Sequence, residues 1–158
     1  MKAQLGSWLH TVLLASGLVG CGLLMIPTAS AATCTPLEPL GSKVTAVKKS
    51  ISPPGTFVTD NNWNTDFAVP GNARFERFVT TIKPDSDGQY DIRVVLKYSD
   101  GSSDIAFEQT GKSLGKGKAF EVSGKPANLE KQPFQINASV GGPVSTGKSY
   151  TLSTVGCQ

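Results

Sequence analysis

One stretch of this chain predicts its own strand pairing and so constrains the fold most. Between Tyr90 and Tyr98, apolar side chains alternate with mostly polar ones, which is the period of a strand with one buried face. Asp100-Gly101 follows, a dipeptide that favours a two-residue type I′ turn because both positions need positive φ. A hairpin about that turn pairs Lys97 with Asp104, Leu96 with Ile105, Val94 with Phe107 and Arg93 with Glu108. Apolar residues then oppose apolar ones, and a one-residue slip in register would expose these apolar side chains to water.

Short apolar runs separated by Gly and Pro continue along the chain, and no window has the period of an amphipathic helix. The loop Pro84–Gly88 is expected to close a second hairpin, with Ile82 opposite Tyr90 and Phe78 opposite Val94. The predicted strands are Lys43–Ser52, Thr56–Thr59 running on through Asn62–Val69, Ala73–Lys83, Gln89–Tyr98, Ser102–Gln109, Lys118–Ser123, Gln132–Val140 and Ser149–Val155. This spacing favours an all-β fold, a two-sheet antiparallel β-sandwich that is immunoglobulin-like in the broad sense, with a small β-barrel as the alternative.

The first 31 residues resemble a secretory signal peptide. Lys2 precedes an apolar run that ends near Ile26, and Ala29-Ser30-Ala31 supplies small residues for cleavage. The expected organisation is therefore a signal peptide over residues 1–31 and a single β-sandwich domain over residues 32–158. We expect the protein to be secreted or periplasmic, in a bacterium.

A competing signal lies inside the same segment. Leu18-Val19-Gly20-Cys21 resembles a bacterial lipobox, in which Cys21 is lipidated and anchors the domain to a membrane. The residues after Cys21 are still apolar, whereas a tether leading away from a membrane is usually polar. A membrane is a partner only in this alternative, or if the apolar run stays uncleaved as an anchor.

Cleavage after Ala31 leaves two cysteines, Cys34 and Cys157, at opposite ends of the domain. In an oxidising compartment they are expected to form a disulfide that ties the termini together. Free thiols or a redox pair are the alternatives, although the spacing is not C-x-x-C. The chain's one histidine, His10, falls within the signal. The remaining domain therefore has no imidazole for general-base, Ser-His or metal-binding chemistry.

An oxygen-rich segment surrounds Trp63. Asp60, Asn62, Asn64 and Asp66 alternate along it, so an extended chain would place all four on one face. With Trp63 they form a candidate ligand patch for a glycan, a partner or calcium. The alternative is that Trp63 packs in the core and the polar residues face water.

A second group, Asp85, Asp87 and Asp91, surrounds Gly88 and is a candidate calcium loop, because calcium prefers several oxygen ligands. Asp is also a common turn residue, and the EF-hand spacing is absent, so no metal is firmly predicted and no other cofactor is expected. The stretch from Gly142 to Ser149 matches the phosphate-binding P-loop letters, but the predicted strand after it excludes the required helix and hence a nucleotide.

The 15 basic and 12 acidic residues are interspersed, without the basic stripe that nucleic acid requires. The preferred function is a non-catalytic binding or structural-interaction module whose partner is a protein or glycan of the cell envelope or exterior. One alternative is a small glycan hydrolase that uses two carboxylates. Another is an accessory or inhibitor subunit that presents a loop, Gly111–Gly117 or Thr59–Thr65, to a partner.

Overall fold

The computed structural model describes residues 32–158, so the predicted signal peptide and Cys21 lie outside the described residues. Strands dominate this part of the chain, and none of its helices is long and apolar enough to cross a bilayer. The elements are β1 (Cys34–Pro36), β2 (Ala46–Ser50), β3 (Asn64–Ala68), β4 (Arg77–Pro84), β5 (Gly88–Lys97), β6 (Ser103–Leu114), β7 (Phe120–Gly124), β8 (Gln135–Gly141), a 3₁₀ turn η1 (Pro143–Ser145) and β9 (Ser149–Cys157).

The strands form two antiparallel sheets, which confirms the predicted β-sandwich. In the first, five-stranded sheet the order is β1-β9-β4-β7, with β2 also paired to β9. In the second, four-stranded sheet it is β3-β8-β5-β6. The chain crosses from one sheet to the other at most connections, and within residues 32–158 only β5 and β6 are consecutive strands that pair. This connectivity is that of a jelly roll, and a single closed barrel is not formed.

The predicted hairpin about Pro84–Gly88 is wrong. β4 pairs with β7 and β9, whereas β5 pairs with β6 and β8, so Ile82 and Tyr90 belong to different sheets. Both side chains are fully buried in the shared core. In sequence, an apolar strand face looks the same whether the strand hydrogen-bonds to the next strand or faces it across the sandwich. Here β4 and β5 lie in different sheets, and their apolar faces meet in the core.

The hairpin of β5 and β6 forms, but its turn differs from the prediction. The Tyr98 amide donates to the Ser102 carbonyl over 3.0 Å, and the Gly101 amide donates to the Tyr98 carbonyl over 3.0 Å. Gly101 has a φ of 83°. The loop is therefore residues 99–101, a type I turn closed by a glycine bulge, instead of a type I′ turn over Asp100-Gly101.

The longer loop changes the register near the turn. Lys97 lies opposite Ser103, and Leu96 lies opposite Asp104, so the predicted pairs Lys97–Asp104 and Leu96–Ile105 are wrong. A bulge between the pairs of Val94 and Val95 then restores the expected alignment. The predicted pairs Val94–Phe107 and Arg93–Glu108 are confirmed, the latter as an ion pair of 3.3 Å.

Gly101→Val is expected to lower the free energy of unfolding by about 1–3 kcal/mol, because it forces a β-branched residue into the left-handed region. Gly71→Val is the matched control. A Cβ meets nothing within 4 Å at either glycine, but only Gly101 has a positive φ, so the two changes differ in backbone strain alone. Urea melts of both variants measure the difference, and equal losses would contradict the turn geometry.

The core lies between the sheets and is continuous. Its largest fully buried side chains include Tyr90, Tyr150, Phe67, Phe78 and Leu37. A disulfide joins Cys34 to Cys157, as the sequence predicts, and these residues are cross-strand partners in β1 and β9 with Cα atoms 4.0 Å apart. Both ends of the described domain are thereby fixed at the same edge of the first sheet.

Tyr98 links the loop between β7 and β8 to the turn end of the β5–β6 hairpin. Its hydroxyl donates to Asp104 Oδ2 over 2.6 Å and accepts from the Ala127 amide over 3.4 Å. The ammonium of Lys131 lies 4.8 Å from the centre of its ring. Burial, followed by the hydrogen bond to Asp104, raises the pKa of Tyr98 to about 12.

Stability is expected to fall as the pH rises through the window from about 10, where an unfolded tyrosine ionises, to about 12. Within that window the unfolded chain binds fewer protons than the folded chain, so alkali favours unfolding. Burial also raises the pKa of Tyr150, which contributes a loss of the same sign. Urea melts across this range should show a shallower fall for Tyr98→Phe than for the wild type, and an identical fall would contradict the assignment.

Candidate functional site

The second sheet has a solvent-facing side, here called the outer face. Asn64, Ser139, Arg93 and Glu108 form one cross-strand row on it, since Ser139 pairs with both Asn64 and Arg93, and Arg93 pairs with Glu108. Paired residues share one face of a sheet. Arg93, Glu108 and Asn64 are exposed, whereas Val94 in the next row is buried in the core. Polar and charged side chains thus occupy this row of the outer face.

Trp63 lies at one end of this face and is held in a fixed orientation. Its Nε1 donates to the Ser52 carbonyl over 2.9 Å, and its own carbonyl accepts from the Val140 amide over 3.0 Å. The ring packs directly over Gly141, where even a Cβ would overlap its carbon atoms. Trp63 is half-buried against the core, so part of the ring remains accessible. The glycine makes room for an aromatic surface on the sheet.

Around that ring is a shallow depression, here called the tryptophan pocket. It is lined by Trp63, Asp91, Ile92, Arg93, Glu108, Gln109, Thr110 and Ser139. Arg93 Nε lies 3.3 Å from Glu108 Oε1, and Asp91 Oδ1 accepts from the Gly111 amide over 2.9 Å. The pocket therefore combines one aromatic surface with hydroxyl and charged groups, and the charged groups are held by protein contacts.

A second depression continues along β5 and is called the phenylalanine pocket. It is lined by Arg93, Val95, Lys97, Tyr98, Gly101, Ser102, Ser103 and Phe134. Phe134 is 49% exposed, although it is large and apolar. Arg93 lines both depressions. The two depressions therefore meet at Arg93 and are together called the outer groove, with an aromatic side chain in each half.

Asp66 neutralises a lysine in the outer groove. Lys97 Nζ lies 3.4 Å from Asp66 Oδ1, and Asn137 Nδ2 donates to the same oxygen over 2.7 Å. The two cations on β5, Arg93 and Lys97, are therefore each matched by a carboxylate on a neighbouring part of the sheet.

The predicted patch of four polar residues is only partly assembled. Asn64 and Asp66 lie on the outer face, because they pair with Ser139 and Asn137 in β8. Lys49 Nζ donates to the Asn64 carbonyl over 2.7 Å and pins this edge strand. Burial lowers the pKa of Lys49, and the charge of Asp66 opposes that shift.

Asn62 has a different role. Its Oδ1 accepts from the Ser52 amide over 3.0 Å, and its Nδ2 donates to the Ser50 carbonyl over 2.7 Å. The side chain thus closes the loop that precedes β3. Asp60 is exposed within that loop. The strand begins only at Asn64, so the alternation read from the sequence does not extend back to these two residues.

The three acids of the candidate calcium loop point to separate protein partners. Asp85 Oδ2 lies 2.8 Å from Lys48 Nζ, and Asp87 Oδ1 accepts from the Lys116 amide over 2.6 Å. Asp91 lines the tryptophan pocket. Within residues 32–158 no group of three or more His, Cys, Asp or Glu side chains is arranged to hold a metal ion. The calcium loop stays a prediction from sequence, and these contacts favour the turn role.

The segment that matches the P-loop letters contains η1 and leads into β9, so among the described residues it carries no α-helix. The first part of the loop predicted at 111–117 belongs to β6. Projecting apolar side chains are found instead at Phe57 and Val58, which are almost fully exposed. The Thr56 amide donates to the Thr59 carbonyl over 2.7 Å and closes this tip.

The chain is similar in structure to several carbohydrate-binding modules. No protein-family model and no curated protein matches its sequence. A variant of the family 29 carbohydrate-binding module CBM29-2 superposes with a TM-score of 0.43 at 7% identity, covering 80% of this chain and 79% of the other. The CBM22-1 xylan-binding domain of Paenibacillus barcinonensis Xyn10C gives 0.32 at 8% identity, covering 77% and 83%. At these values the similarity carries no conclusion about a ligand.

Of the residues that line the outer groove, the sequence singled out Trp63 for the ligand patch and Asp91 for the calcium loop. Asn64 and Asp66 lie on the outer face but line neither pocket, and the other groove residues were missed. Arg93 and Glu108 were recognised only as a cross-strand pair, and Phe134 only as a strand residue. Gly141 carried no signal, because its importance depends on a ring that is distant in sequence and close only after folding.

Proposed function

We propose that this domain is a non-catalytic binding module that holds a glycan in the outer groove. The observation that carries the proposal is the fixed ring of Trp63 on the outer face beside Arg93, Glu108 and Ser139. A sugar ring has an apolar C–H face and a rim of hydroxyl groups. An aromatic face attracts the polarised C–H groups, and nearby charged or hydroxyl side chains hydrogen-bond the rim. The secreted or periplasmic location remains part of this proposal.

The contacts of the carboxylates favour binding over hydrolysis. Asp91 and Glu108 line the same pocket, and two carboxylates are the minimum for glycoside hydrolysis. However, Glu108 pairs with Arg93, and Asp91 accepts from the Gly111 amide. Both carboxylates are therefore engaged in contacts that hold the groove together. The hydrolase alternative remains an outcome of the test.

The purified protein is tested by isothermal titration calorimetry against neutral and acidic polysaccharides, with free reducing ends measured after long incubation. We expect saturable binding of at least one glycan, with a Kd of about micromolar to millimolar, and no release of reducing ends. Phe57→Ala, an exposed aromatic that lines neither pocket, should bind unchanged. Absence of binding across the set would contradict the proposal, and release of reducing ends would favour the hydrolase.

A further inference from the structure

We propose that the glycan is a neutral, extended chain that occupies both pockets at once, with Trp63 at one end, Phe134 at the other and Arg93 between them. This inference rests on the proposed function and specifies its ligand. Arg93 lines both pockets, so the two depressions meet at this exposed side chain, and a ligand that reaches both aromatic side chains would pass over it.

The length of the groove supports a chain over a single sugar. Asp91, Arg93, Val95 and Lys97 follow one another on the outer face of β5. At a rise of about 3.3 Å per residue, the strand from Asp91 to Lys97 spans about 20 Å. A monosaccharide fills one pocket, whereas an oligosaccharide reaches both. Binding energy should therefore grow with chain length until both aromatic side chains are covered.

The middle of the groove is covered by neighbouring side chains. Val95 is 3% exposed and Asn137 is 7% exposed, although both lie on the outer face. Longer side chains on the same strand, Arg93 and Lys97, rise above them. A chain lying along β5 would therefore contact Arg93 and Lys97, whose N–H groups can donate to hydroxyl groups on the rim of a sugar.

Charge decides between neutral and acidic chains. Glu108 neutralises Arg93, Asp66 neutralises Lys97, and Asp91 adds a further carboxylate to the tryptophan pocket. A polyanion would have to displace these carboxylates or lie against them, and like charges brought together across an interface weaken binding. The lining therefore favours a chain without charge.

The test uses cello-, xylo-, manno- and laminari-oligosaccharides from the disaccharide to the hexasaccharide, together with an oligogalacturonate ladder as the acidic counterpart. For the neutral series that binds, we expect affinity to rise about tenfold or more along the wild-type ladder. Phe134→Ala should remove that rise, so that the longest oligosaccharide binds no more tightly than the shortest one that binds. Phe57→Ala is the matched aromatic control and should keep the full rise.

The possible outcomes distinguish failure of the two-pocket neutral chain from failure of glycan binding. A flat ladder in the wild type, a full rise in a folded Phe134→Ala variant, or tighter binding of oligogalacturonate would overturn the two-pocket neutral chain and leave glycan binding intact. Absence of binding by every oligosaccharide and polysaccharide would overturn both.

Discussion

Trp63→Ala is expected to lower glycan affinity by about a hundredfold, because truncating an aromatic hot-spot residue costs about 2–4 kcal/mol of binding free energy. The indole ring is the largest apolar surface of the tryptophan pocket, and the hydrogen bond from its Nε1 to Ser52 fixes its orientation before any ligand arrives. Calorimetric titration of the variant with the best-binding glycan measures the effect.

Two further variants separate binding from folding. Trp63→Phe keeps an aromatic ring and should retain part of the affinity. Gly141→Ala changes no group that contacts the ligand, but its Cβ would displace the indole ring, so affinity should fall even though Trp63 is intact. Circular dichroism and thermal melts verify that each variant is folded. A folded Trp63→Ala variant with wild-type affinity would contradict the proposal that the tryptophan pocket binds the glycan.

Removal of the disulfide by Cys34→Ser with Cys157→Ser should lower the free energy of unfolding by about 4–5 kcal/mol, the chain-entropy value for so long a loop. The cysteines are separated by 123 positions, so the cross-link restricts nearly the whole unfolded domain. The loss also frees β1, whose residues are all exposed and which precedes the buried Leu37.

Urea melts of the oxidised wild type and the double variant measure this loss. Since Cys157 is buried, Cys34→Ala with Cys157→Ala serves as the control for placing a hydroxyl group in the core. Both double variants should lose similar stability if the cross-link itself is responsible. A loss below about 1 kcal/mol in both would show that the β1–β9 pairing holds the termini without the disulfide.

Local pattern was sufficient to predict the sandwich and part of one hairpin. Alternation in β5 and β6 aligned Arg93 with Glu108, and the structure confirms that pair. The turn was assigned incorrectly because glycine in the left-handed region suits both a type I′ turn and a type I turn with a glycine bulge. Only the hydrogen bonds around Tyr98 distinguish them.

Contacts between segments that are distant in the sequence could not be predicted, for a physical reason. The apolar alternation in β4 and β5 shows which face of each strand is buried but not which strand it pairs with. The crossover between the two sheets was therefore predicted as a hairpin. The site shows the same limit. Trp63 was singled out by its polar neighbours, but its orientation depends on Gly141 in β8 and on Ser52 in the preceding loop.

The proposed ligand site is the outer face at Trp63. An NMR titration of the ¹⁵N-labelled protein with the best-binding neutral oligosaccharide tests it most directly. We expect the Trp63 indole N–H and the amides of Arg93, Ser139 and Gly141 to shift together and saturate at one Kd, while the Phe57 amide stays in place. Saturable shifts confined to the Phe57 loop, with the Trp63 indole unmoved, would contradict it.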